Sequence, residues 1–238
     1  MSKTENRRIG SFVVLDLETS TYDGNLRNLS IMELTMYGFP AKDLQTDPIR
    51  VTRTSEMCVP PPSPNLNKLT LIINPRRVIY PKSTDSTGLD NNMLENESHF
   101  DENCACLIVN FLNRLPQPVC LVAHNGDRHD FLIVKNMFNK LSMKLPNNIH
   151  FVDSLHAFRR IDFDPTFQTR PNGKYTPKGV YCKLDNIYKR NFKKDPDLRH
   201  QAEADVETLT HLIRVYGKSF IAYAEDRASE FICSDERK

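Results

Sequence analysis

Ser11–Glu18 reads SFVVLDLE, an apolar, β-branched and aromatic run that closes on two carboxylates. Such a run predicts a buried strand. Strand alternation places Val14, Asp16 and Glu18 on one face and Val13, Leu15 and Leu17 on the other. Two acids side by side after an apolar strand raise each other's pKa and lose hydration. A divalent cation relieves that penalty, and hard oxygen ligands suit Mg²⁺ or Mn²⁺ rather than zinc. Taken alone, the pair is better described as an exposed strand end carrying two solvated acids.

Outward from this strand, Leu29–Tyr37 and Asn67–Asn74 read as two more strands, followed by a polar loop. Residues 101–115 have apolar side chains at helical spacing behind an acidic start that suits the helix dipole. Strands are expected at Val119–Ala123 and Ile149–Val152. Helices are expected at Phe131–Leu145, Ser154–Arg160, Lys183–Asn191 and Ala202–Tyr216, with an irregular basic loop over Asp162–Gly179. Three early strands and then alternating strand and helix predict an α/β fold with a central mixed β-sheet flanked by helices. The expectation is one domain over residues 1–238, with a core of about 10–232 and short tails.

No apolar run approaches the roughly 20 residues that span a bilayer, and MSKTENRRIG lacks a signal-peptide core. A soluble intracellular protein of cytoplasm or nucleus is expected. The six cysteines, Cys58, Cys104, Cys106, Cys120, Cys182 and Cys233, fit neither a zinc knuckle nor a disulfide framework, and read as small buried hydrophobes in a reducing compartment. Net charge is only +2, but residues 159–194 hold ten Lys/Arg against three Asp/Glu. That segment is either a footprint for phosphate or a solvated loop. Cys58–Pro64 (CVPPPSP) is a stiff connector or, in the sharper reading, a docking site at Pro60–Pro64 for a proline-reading partner.

Two further acidic positions change the weight of the first pair. Asp130, in LVAHNGDRHDF, follows a strand and a turn, where it either supplies a third carboxylate or caps the next helix; alone, capping is the better account. Asp205 heads the helical stripe Leu209, Leu212 and Ile213, so an aspartate on a core-facing stripe needs a partner. His200, five residues earlier, suits a general base acting on water. Together, Asp-x-Glu, Asp and His-x4-Asp suggest a two-metal phosphoryl-hydrolysis site.

On these motifs the chain resembles the DEDDh 3′→5′ exonucleases, and within them the TREX (three-prime repair exonuclease) branch. FVVLDLET is similar to the first exonuclease motif, CLVAHNGDRHDF to the second and HQAEADVETL to the third; VPPPSP, NKLTLIINP, STGL, RLPQP and HFVDSL extend the likeness over nearly the whole chain. The resemblance implies an RNase-H-like fold. It makes Asp16, Glu18, Asp130 and Asp205 the ligands of two Mg²⁺ (with Mn²⁺ able to substitute) and His200 the residue that activates water. It implies that Glu18, Thr19 and Ser20 hold the terminal nucleotide, with Ser86, Arg128, His129 and His200 also at the substrate. The expected reaction releases 5′-dNMPs one at a time from single-stranded or frayed double-stranded DNA 3′ ends, by a homodimer.

Beside such a site, Arg170, Lys174 and Lys178 read as phosphate contacts that carry no sequence information, and Phe163, Phe167, Tyr175 and Tyr181 as stacking partners or loop packing. The chain departs from the family pattern in three places. Ser20-Thr21-Tyr22-Asp23-Gly24 stands where the family has Thr-Gly-Leu, so Tyr22 or Leu26 would have to serve as the wedge against the bases. His129 replaces the family's tyrosine, and Ser86 replaces its isoleucine. Two other readings stand beside this one: an exoribonuclease of the same superfamily, since sugar choice rests on contacts to the 2′ position, and a non-catalytic nucleic-acid-binding adaptor.

Overall fold

The computed structural model describes residues 8–21, 29–45, 63–163, 182–196 and 201–230. Strand β1 (Ser11–Thr19) sits in the middle of a six-stranded mixed sheet. It pairs antiparallel with β2 (Ile31–Pro40), which pairs antiparallel with the edge strand β3 (Asn67–Ile72). On its other side β1 runs parallel to β4 (Val119–Ala123), then β5 (Ile149–Asp153), and a two-residue β6 (Ser229–Glu230) closes the order β3-β2-β1-β4-β5-β6. Between β3 and β4 lie α1 (Pro81–Thr87), α2 (Asn91–Leu94) and α3 (Glu102–Asn113). Helices α4 (Asp130–Lys140) and α5 (Ser154–Phe163) follow β4 and β5. Helices α6 (Leu184–Phe192) and α7 (Ala202–Arg227) follow the basic segment.

The alternation expected of SFVVLDLE sorts two cores. Val13, Leu15 and Leu17 pack with Ala105, Ile108 and Leu112 of α3 and Ile133, Val134 and Phe138 of α4. Phe12 and Val14, with Tyr37 and Phe39 of β2, pack with Val206, Leu209, Leu212, Ile213 and Phe220 of α7 and with Phe158 of α5. Each fully buried Leu or Phe contributes about 1.5–3 kcal/mol, so α7 is fastened to the sheet by its stripe and carries Asp205 with it. Asp16 and Glu18 lie on this α7 side. Among the described residues, no helix is long and apolar enough to cross a membrane.

The structure corrects several expectations. The polar loop after β3 contains α1 and α2, which show no apolar period because caps define them. Pro81 opens α1, Gly88 ends it at φ +77°, and the Asp90 carboxylate accepts the Met93 amide at the start of α2. Helix α4 stops at Lys140 rather than Leu145; the first part of α7 ends at Tyr216 as expected, and a second helical part runs on beyond a kink at Gly217 to Arg227. Helix α5 runs to Phe163, two residues into the expected basic loop, and Asp162 within it is held by Arg190 and by the Tyr216 hydroxyl, 2.9 Å away; the rest of that expected loop lies outside the described residues. Cys104, Cys120 and Cys182 are buried, but Cys106 is exposed on the solvent side of α3. Cys58, Cys233 and Pro60–Pro62 lie outside the described residues.

Candidate active site

Carboxylate oxygens of Asp16, Glu18 and Asp205 lie within 4.8 Å of one another. β1 delivers the first two and the first turns of α7 deliver the third. Asp130, 3% exposed, is the first residue of α4. The cap position before it belongs to His129, whose side chain makes no capping bond. Asp130 lies outside the tight three-oxygen group, yet after burial its charge is the strongest influence holding the Asp16 carboxyl well above the usual range, followed by Asp205, Glu18 and Glu33. Glu18, only 7% exposed, is pushed up to about 8 by burial and then by Asp205, Glu33 and Asp130. Among the described residues, no cationic side chain is a cause acting on either acid. All-oxygen, like-charged and poorly hydrated ligands suit a hard divalent cation, which would replace the missing positive charge.

The loop that presents Asp130 is held from β5. Asn125 adopts φ +64° after β4 and leads into a 3-10 turn at Gly126–Arg128. A Cβ on Gly126 would stand 2.7 Å from that of Ala123 and 2.8 Å from the Phe131 ring, so this close approach requires glycine. The Asp153 carboxylate accepts the amides of Asn125 (2.9 Å), Asp127 (3.3 Å) and Leu155 (2.9 Å). The His124 ring bridges Ser154 Oγ (3.0 Å) and the Cys182 carbonyl (2.9 Å), and burial lowers its pKa. Asp127 and His156 also place ligand atoms within 4.8 Å of Asp153, on the exposed side of this loop.

The remaining expected site residues divide by location. His129 Nδ1 lies 3.8 Å from Asp130 Oδ1, and the acid raises the imidazole's pKa. Thr19 and Ser20 are buried just past Glu18; the Ser20 amide donates to the Ser30 carbonyl and the Ser20 carbonyl accepts from Tyr80. The Ser20 hydroxyl is buried with no partner among the described residues. Ser86 lies in α1 and donates to the Ser83 carbonyl at 3.0 Å. Arg128 is exposed in the 3-10 turn. His200, Arg170, Lys174, Lys178, Phe167, Tyr175, Tyr181, Tyr22 and Leu26 lie outside the described residues.

Sequence reasoning missed Glu33, which is 8% exposed and directly opposite Glu18 on β2. Its signal was present, since LSIMELTMY places one acid within an otherwise apolar strand. It also missed the holding role of Asp153.

No family model matches the chain. It is 29% identical over 229 residues to Three prime repair exonuclease 2 of Mus musculus, across 94% of this chain and 91% of that protein. It is 33% identical over 175 residues to Three-prime repair exonuclease 1 of Bos taurus, across 72% of this chain and 54% of that protein. The chain belongs to the three-prime repair exonuclease family. Among solved structures, the nuclease domain of 3′hExo, a DEDDh family member bound to rAMP, matches with a TM-score of 0.60 at 12% identity, over 94% of this chain and 98% of that one. The E. coli ExoI–ssDNA complex in its zinc-bound form matches with a TM-score of 0.63 at 14% identity, over 90% of this chain and 42% of that one. At such identities these two establish the fold, which is RNase-H-like, and the family membership rests on the sequence relatives.

Proposed function

We propose that this family member is a divalent-metal-dependent 3′→5′ exonuclease that shortens DNA from the 3′ end and releases 5′-dNMPs, preferring single-stranded or frayed ends. The observation that carries the reading is the convergence of the Asp16, Glu18 and Asp205 oxygens, with the charge of Asp130 acting on the first two. Asp16, Glu18, Asp130 and Asp205 would hold two Mg²⁺, with Mn²⁺ able to replace them. Such cations, when bound, lower the pKa of water and neutralise charge on the phosphate.

The chain's own residues do the rest. His200 accepts the proton of the attacking water as its oxygen bonds to phosphorus; the bond to the 3′ oxygen of the penultimate nucleotide breaks, and that oxygen takes a proton from solvent. Glu18, Thr19 and Ser20 hold the terminal nucleotide where β1 ends, with Ser86, Arg128 and His129 around it. Arg170, Lys174 and Lys178 contact phosphates without reading bases. We take residues of about 10–232 as one exonuclease unit that acts as a homodimer, for which the β3 edge offers unpaired backbone.

The test is a 5′-labelled single-stranded DNA oligonucleotide with Mg²⁺, with Mn²⁺ or with EDTA, beside an RNA of the same sequence. A ladder that shortens from the 3′ end on DNA with metal alone is expected. Equal shortening of RNA would reassign the substrate, and a salt-sensitive gel shift without a ladder would replace the enzyme with a binding protein.

A further inference from the structure

Helix α7 begins without a cap of its own. Its cap residue, Gln201, makes no side-chain bond to the first turn, and amides at a helix start need acceptors when they are buried. The acceptor comes from the sheet: Glu33 Oε2 takes the Ala202 amide at 3.2 Å, and the Glu203 amide also bonds to this carboxylate. Glu33 belongs to β2, directly opposite Glu18 and on the same face. Like charges in directly opposed positions of an antiparallel pair oppose pairing, and Glu33 raises the proton affinity of both Asp16 and Glu18. A buried acid there weakens the sheet, so its use must lie elsewhere.

The same strand grips the helix a second time. Tyr37, two positions further along the face occupied by Glu33 and Thr35, donates its hydroxyl hydrogen bond to Glu203 Oε1 at 2.5 Å. Lys68 of β3 donates to the Tyr37 oxygen at 2.6 Å and reaches Glu203 at 3.4 Å. The first turn of α7 is therefore fixed through its backbone by Glu33 and through a side chain by Tyr37. Asp205 stands on the next positions of that turn, and its oxygen must remain within 4.8 Å of those of Asp16 and Glu18.

We infer that Glu33 is a positioning residue that sets Asp205 against Asp16 and Glu18 by capping α7 from the neighbouring strand; the inference rests on the exonuclease reading only for its kinetic part. Holding a ligand from behind typically changes metal affinity or activity 10–100-fold. What matters for this task is the acceptor oxygen, which glutamine retains and alanine lacks.

The experiment measures Mn²⁺ binding to the full chain by calorimetry, without DNA, and steady-state hydrolysis of a single-stranded oligonucleotide. Glu33→Ala is expected to weaken Mn²⁺ binding and lower kcat, each by about tenfold or more, with KM for the oligonucleotide within about twofold. Glu33→Gln should recover most of both losses. Unchanged Mn²⁺ affinity in Glu33→Ala overturns the inference, and so does a Glu33→Gln variant as impaired as Glu33→Ala, which would make Glu33 a ligand or a charge rather than a cap. If circular dichroism shows Glu33→Ala unfolded, Tyr37→Phe replaces it: a smaller loss of Mn²⁺ affinity is expected, and an unchanged value overturns the clamp. A wild-type chain that binds Mn²⁺ in this Glu33-dependent way but hydrolyses nothing sinks the exonuclease reading and leaves the positioning intact.

Discussion

Two places in this molecule bury aspartate against α7, and they are resolved in opposite ways. Asp162 of α5 is met by the Arg190 guanidinium and by both bonds to the Tyr216 hydroxyl, so its charge is balanced by the fold itself. At the other end of α7, Asp205 meets Asp16 and Glu18, with Asp130 and Glu33 adding more negative charge. The first arrangement belongs to stability alone. The second gathers like charges whose mutual repulsion a divalent cation would offset, which separates it from a structural ion pair.

If this contrast is right, the largest effect comes from Asp205→Asn. It should reduce hydrolysis by on the order of 10³-fold while DNA affinity and thermal stability hold, as read by gel kinetics, gel shift and calorimetric melting. Asp162→Ala should do the reverse. Removing one partner of a buried pair costs about 3 kcal/mol, seen as a lower denaturant midpoint, while Mn²⁺ affinity per folded molecule stays the same. Swapped results would erase the distinction.

A third test uses pH. Glu18 has a folded pKa of about 8 against an ordinary 4.5, so the folded chain binds that proton more tightly than the unfolded one. Its contribution to stability is complete below the ordinary value and is lost as pH rises toward and through about 8. Metal-free Glu18→Gln should therefore be more stable than wild type at pH 8, by about 4 kcal/mol, and nearly equal to it at pH 4.5. Melting in EDTA at several pH values checks the sign, and no gain at pH 8 would show that the acids are well solvated.

The smallest effect belongs to His124, whose folded pKa is depressed below 6.5 by burial. Its contribution is complete above the ordinary value and is lost as pH falls through the folded one. His124→Gln should flatten the acid side of the stability profile, and a slope identical to wild type would remove His124 from the loop's support.

Much of this was legible because β1, β4 and β5 are short, mostly apolar runs, and because period two put Asp16 and Glu18 on one strand face while the helical stripe turned Asp205 toward the core. What escaped was information that only strand register or caps hold. Glu33 faces Glu18 through the register of two antiparallel strands, which spacing along one strand does not reveal. PKSTDST becomes a helix through Pro81 and Gly88, without an apolar face. Gly217, with φ +46° and ψ −123°, has the backbone of a helix stop, and expectation ended the helix there. Phe220, Ile221 and Ala224 nevertheless resume the buried stripe beyond the kink, where Leu44's carbonyl would stand 3.3 Å from a Cβ at Gly217. Asp130, which spacing leaves between ligand and cap, stands at the first position of α4 because the preceding turn puts His129 at the cap.

The strand order has a consequence for the timing of activity. β1 is made early, its parallel neighbour β4 and then β5 beyond it follow later, and Asp205 comes later still. Contacts between such distant segments form late, because closing long loops is entropically unfavourable. A chain still on the ribosome therefore carries Asp16 and Glu18 without their third partner. The proposed nuclease centre assembles only when α7 docks, so synthesis itself delays the moment at which the proposed activity can appear.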